Sequence, residues 1–462
     1  MEQTQTYKAL DWPQEFRATF MLAGPLALAN FLQMLTYSVD VFFIARLGEQ
    51  PFAASQLVMS VFGLIVWALS SLTAAVAPVV SAELGANPNA VRPVRRAVRM
   101  ALWLAVISGA VGMALAFLTI PIMRATGQDE ALIPIAFPYL VVVVFSLIPM
   151  VVGNVLRTYV STLGRPIFAT AITAIGILVN AAGNYALIFG NWGMPRLELV
   201  GAGIATIITT TVTMLIYIAA IRFDEKLHRY RIFGRWWRPD WQRMREILRI
   251  GTPIALTVIA EAGIFGAAAF MMGRFGVSQL AGHTIALQLA AMAFQIPFGV
   301  GQAVTIRVGY YYGARDLTGI MRAGWAGLAM GTGFMCVTAL AMIIIPHALV
   351  SLYVDLDAPK NAALVGFSVQ YLLLAAAFQL VDGIQAVSLG ALRGLQDTRV
   401  PMWMATFSYW VAGIGVAIGL AFYTPLAGIG VWIGLATGLA TAAILLTWRW
   451  MLRDRLGLTQ RL

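Results

Sequence analysis

Three acidic residues interrupt long apolar stretches of this chain: Asp40, Glu261 and Asp382. An ionised side chain at the centre of a lipid bilayer costs at least about 2.5–3.5 kcal/mol, so such a residue normally faces water and has a function. A carboxyl group in that setting can take up a proton or hold a cation, and its charge is then exchanged with the solvent. A fourth acid, Glu83, lies at the border of an apolar stretch and is a marginal case. The three central acids are the first candidates for a site that binds and releases an ion.

Asp40 belongs to a polar stripe on an otherwise apolar segment. Asn30, Gln33, Tyr37 and Asp40 are spaced three, four and three positions apart, which places them on one face of an α-helix. Their amide and hydroxyl oxygens suit a desolvated monovalent cation. They equally suit a carboxyl group that must stay hydrogen-bonded with and without its proton.

Polar residues of two later segments extend this group. Asn180 and Asn184 form an i, i+4 pair, and Thr206 is followed on its own segment by further threonines at 209, 210 and 213. Hydrogen bonding between helices is a common role of small polar residues in membranes. It is the favoured interpretation for the threonines, whereas Asp40 and the asparagines are expected to take part in ion binding.

The other two acids lie in the second half of the chain. Glu261 is near the middle of its apolar segment, and Asp382 shares a helical face with Gln379 and Gln385. Two carboxylates close together repel unless one takes a proton or a cation lies between them. No Lys or Arg lies in the middle of an apolar segment, so no basic partner is expected for either acid. If the ion is Na⁺, Glu261 and Asp382 are the residues expected to bind it.

Aromatic and methionine side chains are candidates for binding an organic cation. Aromatic rings attract such cations, and methionine surfaces repack around molecules of different shape. Glutamines recur every seven residues on one segment, at 288, 295 and 302. The candidate substrate-binding residues near the acids are Tyr37, Phe265, Gln288, Met292, Phe294 and Gln379.

The composition indicates what positions these residues. Of the 462 residues, 60% are hydrophobic and 11% are charged, whereas soluble proteins carry about 25% charged residues. The chain is therefore an integral membrane protein, which excludes a soluble enzyme, a disordered protein and a disulfide-stabilised domain. The single cysteine, Cys336, lies in an apolar stretch and is predicted to be a small core residue.

Twelve apolar segments are long enough to cross a bilayer as helices, which takes about 20 residues each. They are 18–45, 52–81, 97–122, 132–156, 167–190, 199–221, 251–273, 281–306, 323–350, 364–392, 401–423 and 427–450. If the amino terminus is cytosolic, the outer ends hold only five of the 31 Lys and Arg residues: Arg46, Arg124, Arg196, Arg274 and Lys360. The positive-inside rule then predicts that both termini are cytosolic. Residues 1–16 are expected to be a short cytosolic lead-in rather than a secretory signal.

The two halves of the chain repeat each other. A shift of 228 positions aligns Pro25 with Pro253, and a shift of 236 positions aligns Arg157 with Arg393. Six segments per half with the same orientation predict a parallel repeat. The predicted fold is all-α and integral to the membrane, with twelve transmembrane helices in two six-helix lobes related by a pseudo-two-fold axis along the membrane normal. The predicted domains are an N-lobe, a basic cytosolic linker and a C-lobe: 1–221, 222–249 and 250–462.

Other classes of protein fit the sequence less well. Three scattered histidines and one cysteine supply neither a nucleophile nor a metal cluster, so no enzyme and no cofactor are expected. No Walker loop is present, so ATP is not expected to drive the protein. The net charge of +11 is expected to meet anionic membrane lipid rather than nucleic acid. A passive channel is the remaining alternative function, because channels also contain internal repeats.

Five segments together resemble one family of transporters. They are 38–48, 251–261, 281–288, 379–385 and 390–398. In combination they are similar to the MATE (multidrug and toxic compound extrusion) family, and most to its bacterial NorM branch. The resemblance implies an antiporter of the bacterial inner membrane that expels amphipathic, mostly cationic drugs and dyes while Na⁺ or H⁺ enters. The sequence contains no extramembrane domain that would predict an oligomer, and a monomer is expected. It also implies ion-coupling roles for Asp40, Glu261, Asp382, Asn180, Asn184 and Thr206.

The sequence departs from some branches of that family at one position. Those branches carry a carboxylate where this chain has Asn184, so the first lobe has one acid fewer and a proton is the simpler ligand of Asp40. A flippase-type exporter of a lipid-linked or metabolite substrate, from the same superfamily, is an alternative. Such proteins need basic cavity residues for phosphates, and none lies in the middle of a segment here. A major-facilitator transporter is disfavoured because the loop 85–96 lacks that family's glycine and arginine pattern.

Overall fold

The computed structural model describes residues 10–460, and every regular element in that range is a helix. Twelve helical stretches are long and apolar enough to cross a membrane, and they are called spans 1 to 12 in chain order. They are Trp12–Ala45, Glu49–Ala86, Val91–Ala125, Glu130–Thr162, Pro166–Phe189, Glu198–Phe223, Trp241–Gly273, Val277–Gly313, Leu317–Ile344, Pro359–Gly394, Arg399–Tyr423 and Gly428–Met451. The prediction of an all-α chain with twelve spans is confirmed. Residues 1–9 of the predicted lead-in lie outside the described residues.

Several spans are built from more than one helix. Span 2 comprises Glu49–Thr73 and Val76–Ala86, and span 3 comprises Val91–Ala116 and Thr119–Ala125. Span 11 contains a π-helical turn, Ser408–Gly413, between two α-helices. Such turns often occur at functional sites. Two short helices lie outside the spans: Glu225–His228 and Pro346–Val350.

Some helix ends differ from the predicted segments. Span 3 begins at Val91 rather than 97, and span 7 begins at Trp241 rather than 251. Their added turns are basic and amphipathic, so a search for apolar length does not detect them. Span 9 ends at Ile344 rather than 350, because Pro346 begins a separate short helix. Proline cannot donate the backbone hydrogen bond that would continue the preceding helix.

The chain divides into two compact units. The N-unit comprises Leu28–Leu84 and Pro88–Ala255, and the C-unit comprises Met1–Ala27, Gly85–Asn87 and Leu256–Leu462. Spans 1 and 7 therefore each contribute residues to both units. This grouping differs from the predicted lobes, whose division falls at the basic linker.

The predicted linker packs into the N-unit. Leu227 and Ile232 are buried in its apolar core. The hydroxyl of Tyr159 donates to the carbonyl oxygen of Leu227 at 2.8 Å. The carboxylate of Asp224 caps the short helix by accepting from the backbone N–H of Leu227 at 3.0 Å. The segment is thus a folded part of the N-unit, and it runs directly into span 7.

In the C-unit, small residues bring spans 8 and 10 close together. A Cβ atom on Gly390 would lie 2.4 Å from the carbonyl oxygen of Gly301, a distance that no side chain tolerates. The hydroxyl of Thr305 donates to the carbonyl oxygen of Gly390 at 2.9 Å. Close backbone approach and hydrogen bonds of this kind hold helices together in lipid. They fix the position of span 10, which carries Asp382.

The prediction for Cys336 is wrong. Its side chain is exposed on span 9 rather than packed in a core. An apolar stretch in a membrane protein contains residues that face the bundle and residues that face lipid, and hydrophobicity alone does not separate them.

Candidate functional site

In the N-unit, Asp40 is hydrogen-bonded to two asparagines of span 5. Oδ1 of Asp40 accepts from Nδ2 of Asn180 at 2.9 Å and from Nδ2 of Asn184 at 2.7 Å. Nδ2 of Asn184 also donates to Oδ1 of Asn180 at 3.2 Å. All three side chains are buried. The amides direct their donor groups at the carboxylate, which stabilises its ionised form.

One oxygen of this group has no partner. Oδ1 of Asn184 is buried and accepts no hydrogen bond from the residues that the structure describes. Buried polar atoms in folded proteins are nearly always hydrogen-bonded. The group therefore has the oxygen atoms for a small cation beside Asp40, and it also has the donors that keep an anionic carboxylate in place.

The threonines of span 6 do not make the interhelical hydrogen bonds that were predicted. The hydroxyl of Thr206 donates to the carbonyl oxygen of Ala202 in its own helix at 3.0 Å. Thr209 does the same with Ala205, as the next two threonines do with carbonyls of that helix. A threonine hydroxyl in a helix readily bonds the carbonyl four residues before it. The ion-coupling role of Thr206 stays a prediction.

The polar stripe on span 1 forms hydrogen bonds with residues of other spans that the sequence did not single out. Nη1 of Arg157 donates to Oε1 of Gln33 at 2.9 Å, and Nη2 of Arg157 donates to Oδ1 of Asn30. The hydroxyl of Tyr37 donates to Oε1 of Gln56 at 3.0 Å. An arginine of span 4 thus holds the part of the stripe that precedes Tyr37.

In the C-unit, the structure brings Glu261 and Asp382 within electrostatic range of each other. Asp382 is 6% exposed, and its Oδ1 is buried with no hydrogen-bond partner among residues 10–460. Glu261 is partly buried, and Gln385 lies near its carboxylate. Two carboxylates in a medium of low dielectric cannot both stay ionised without a counter-charge. The pair is therefore suited to binding a proton or a cation.

Two further residues belong to this group. Arg393, near the end of span 10, lies within electrostatic range of Glu261 without forming an ion pair with it in the described part of the chain. The hydroxyl of Tyr409, in the π-helical turn of span 11, accepts from Nε2 of Gln385 at 2.6 Å. Nε1 of Trp410 in the same turn donates to the carbonyl oxygen of Ala260 at 3.1 Å. The turn therefore packs against the helix that carries Glu261.

The internal repeat could have revealed both arginines. The shift of 228 positions aligns Gln33 with Glu261, and the shift of 236 positions aligns Arg157 with Arg393. In the N-unit, Arg157 of span 4 lies beside Gln33 of span 1. In the C-unit, Arg393 of span 10 lies beside Glu261 of span 7. The alignments show that the two arginines are equivalent positions of the repeat, and the structure shows which residues they lie beside.

Two of the candidate substrate-binding residues lie close to the acids in the chain and in the fold. The ring of Phe265, one turn from Glu261, packs edge-on against Phe378, one turn from Asp382, at 6.1 Å between centroids. Gln379 is fully buried, and its Nε2 donates to Oγ1 of Thr338 at 2.9 Å.

The remaining substrate-binding candidates are more dispersed. Tyr37 is 46% exposed, and Gln288 is partly buried on span 8. The sulfur of Met292 accepts from the hydroxyl of Tyr353 at 3.6 Å, and the ring of Phe294 stacks on Phe298 at 5.8 Å. Their roles in substrate binding stay predictions.

These features define a class of protein. Twelve spans, an internal parallel repeat and buried carboxylates in both units are the organisation of a secondary transporter. The family model named MatE matches residues 25–186 and 253–418, one match in each half of the chain. The chain belongs to the MATE family, and it is a NorM-like member.

Relatives and solved structures agree with this assignment. A "probable multidrug resistance protein NorM" of Mesorhizobium japonicum is 40% identical over 446 residues, covering 96% of both chains. A "multidrug resistance protein NorM" of Burkholderia vietnamiensis is 36% identical over 439 residues, covering 94% of this chain and 93% of the relative. An outward-facing MATE family multidrug resistance transporter superposes with a TM-score of 0.85 at 21% identity, covering 98% of this chain and 100% of the other. The eukaryotic MATE transporter AtDTX14 gives a TM-score of 0.83 at 17% identity, covering 97% and 98%. At these identities the two structures show the fold alone.

Proposed function

We propose that this protein exports amphipathic, mostly cationic drugs and dyes in exchange for Na⁺ or H⁺. Membership of the MATE family and the multidrug resistance names of the NorM relatives support this function. The proposed location is the bacterial inner membrane, with both termini in the cytosol, as the distribution of Lys and Arg predicts.

The observation that carries the proposal is the Glu261–Asp382 pair. One oxygen of Asp382 is buried without a hydrogen-bond partner in the described residues, and the two carboxylates interact with each other. Arg393 compensates part of the negative charge. A proton on one carboxyl group, or a Na⁺ ion between the two, supplies the rest. The charge of the pair is thus balanced only when one further positive charge binds, and a coupling ion supplies it.

Coupling follows if the ion and the organic cation favour different states of the protein. A ligand shifts a conformational equilibrium only through its different affinities for the two states. Neutralising the acid pair removes the negative charge that attracts an organic cation, so ion entry from outside lowers drug affinity and the drug is released. The empty, ionised pair then favours drug binding from the cytosol.

Asp40 is proposed as a second ion-coupling residue, and its neutralisation is the test. The variant Asp40→Asn keeps the size of the side chain and an oxygen that can accept from the two asparagines, but it removes the negative charge and the exchangeable proton. We expect uphill efflux to fall roughly tenfold, within the range of coupling free energies of about 1–3 kcal/mol, and its dependence on pH to flatten. The measurement is the initial efflux rate between pH 6 and 8.5. Asp129→Asn, in an exposed loop of the same unit, is the control. A pH profile of Asp40→Asn that matches the wild type would leave Asp40 a structural residue.

A flippase-type exporter is less favoured by the arrangement of two partly buried arginines. A lipid-linked phosphate substrate needs basic side chains in its cavity. Arg157 donates to Asn30 and Gln33, and Arg393 lies beside Glu261. Both arginines thus serve neighbouring side chains.

The experiment that tests the proposal is transport by the purified protein in proteoliposomes. A cationic dye should accumulate against its own gradient when an ion gradient is imposed, and accumulation should stop when an ionophore collapses that gradient. Dye that only equilibrates across the membrane would indicate the passive channel instead.

A further inference from the structure

A face of span 3 binds the backbone of the basic loop in the N-unit. Arg95, Arg99 and Trp103 follow each other at four-residue intervals, so they share a helical face. Nε of Arg95 donates to the carbonyl oxygen of Tyr230 at 2.8 Å, and Nη1 of Arg99 donates to the carbonyl oxygen of Arg235 at 3.1 Å. Nε1 of Trp103 donates to the carbonyl oxygen of Trp236 at 3.2 Å. Together these bonds fix the loop 230–236 against the helix.

This arrangement concentrates positive charge. Arg95 lies within electrostatic range of Arg92, Arg231 and Arg235, and Arg99 lies within range of Arg95 and Arg238. The basic cluster is defined as Arg92, Arg95, Arg99, Arg231, Arg235 and Arg238. Like charges held together oppose folding unless an anion compensates them.

The nearby acid does not provide that compensation. Asp240 is the carboxylate that interacts with Arg99, and it also forms an ion pair with Arg96 at 3.8 Å. Arg96 adds one more positive charge beside the cluster, and Asp240 interacts with only two of these seven arginines, Arg96 and Arg99. The cluster therefore keeps a large excess of positive charge.

One guanidinium group of the cluster has an unpaired donor. Arg99 is 6% exposed, and its Nε is buried with no hydrogen-bond partner among the described residues. A buried donor without an acceptor is unfavourable. An anionic ligand with several oxygen atoms would supply acceptors to this region, and the planar guanidinium fork matches phosphate oxygens best.

Aromatic residues border the cluster. Trp237 and Trp241 are 74% and 64% exposed. The ring of Trp103 lies 6.4 Å from those of Trp236 and Trp241. Indole rings concentrate where a membrane protein meets the lipid headgroups, because their apolar body and polar N–H suit that layer. Their presence indicates that the anion sits in the headgroup layer of the membrane.

We propose that the basic cluster is a binding site for the phosphodiester headgroup of an anionic membrane lipid. The arginines of span 3 and of the loop 230–238 surround the phosphate, and the indoles pack on the upper part of the acyl chains. Bound lipid neutralises the cluster and stabilises the loop against span 3. Basic pockets beside transmembrane helices bind lipid phosphates in this way.

The test measures lipid binding to the purified full chain by native mass spectrometry. The probes are phosphatidylglycerol and phosphatidylcholine with identical acyl chains. The test variant is Arg235→Gln with Arg238→Gln, since both side chains are exposed. At about 1 kcal/mol for each arginine, we expect phosphatidylglycerol to bind about 30-fold more weakly to the double variant. Lysine at both positions keeps the charge and should restore most of the binding.

A matched control separates a site from a general effect of charge. Arg399→Gln with Arg455→Gln removes the same charge from exposed positions of the C-unit, and it should change phosphatidylglycerol binding by less than about twofold. Equal loss in the control, or equal binding of the two lipids to the wild type, would overturn the proposal. Displacement of bound phosphatidylglycerol by an excess of inorganic phosphate would show a site for soluble phosphate and would also overturn it. Unchanged thermal unfolding of the variants confirms that they are folded.

Discussion

Replacing Asp382 with asparagine, or Glu261 with glutamine, is expected to abolish uphill drug export while the protein still reaches the membrane. Each variant keeps the size of its side chain but removes one carboxylate of the C-unit pair. The positive charge of Arg393, which lies close to position 261, then balances the single remaining carboxylate. No further positive charge is needed. Without an exchangeable ion there is no coupling, and we expect the initial rate of uphill efflux to fall roughly 100-fold, near the upper end of allosteric coupling energies.

The control for these variants is a neutralised acid outside the pair. Asp357→Asn lies in an exposed loop of the C-unit and should export at the wild-type rate. Downhill dye flux measured in the same vesicles reports whether the protein is folded and open to substrate. Wild-type uphill export by either Asp382→Asn or Glu261→Gln would remove the pair from the mechanism.

The largest effect on stability is expected at a buried ion pair of the C-unit. Glu15 is fully buried. Its Oε1 accepts from Nε of Arg307 at 2.9 Å, and its Oε2 accepts from Nη2 of Arg307 at 2.5 Å and from the hydroxyl of Tyr311 at 2.7 Å. Removing one partner leaves an uncompensated buried charge, so Glu15→Gln should lower the free energy of unfolding by about 3–5 kcal/mol.

The double variant shows whether the uncompensated charge causes that loss. Glu15→Leu with Arg307→Met removes both charges and should cost less than about 1 kcal/mol, because apolar residues of similar volume replace such pairs well. Asp11→Asn removes an exposed partner of Arg322, at 3.7 Å, and should change stability by less than about 1 kcal/mol. Unfolding in mixed micelles measures all three. A loss of stability in the double variant as large as that of Glu15→Gln would contradict this account.

Much of the fold and the acid sites was predictable because bilayer physics acts on local sequence. The lengths of the apolar segments located all twelve spans. The free-energy cost of placing a charge in lipid singled out Asp40, Glu261 and Asp382. Helical spacing then selected the asparagines that the structure places on Asp40. These inferences need only hydrophobicity and helical periodicity, both of which are readable along the chain.

Partners that are distant in the chain were not predictable in this way. Glu15 belonged to a segment predicted as a short lead-in, yet it is buried against an arginine 292 positions away. Asp397 falls between the predicted apolar segments 364–392 and 401–423, yet it is buried and pairs with Arg449 at 2.6 Å. Both acids lie close to the end of an apolar segment, where a charge normally reaches solvent. Only the tertiary packing around these two carboxylates keeps them away from solvent.

Uphill transport in proteoliposomes, with the Na⁺ and pH gradients imposed separately, tests the central claim most directly. The wild type should accumulate a cationic dye against its gradient under at least one of the two ion gradients, and Asp382→Asn should do so under neither. Accumulation driven by Na⁺ alone would identify the Glu261–Asp382 pair as a metal-ion site, and accumulation driven by pH alone would identify carboxyl protonation. Purely downhill flux of the wild type under both gradients would contradict the account and favour a channel.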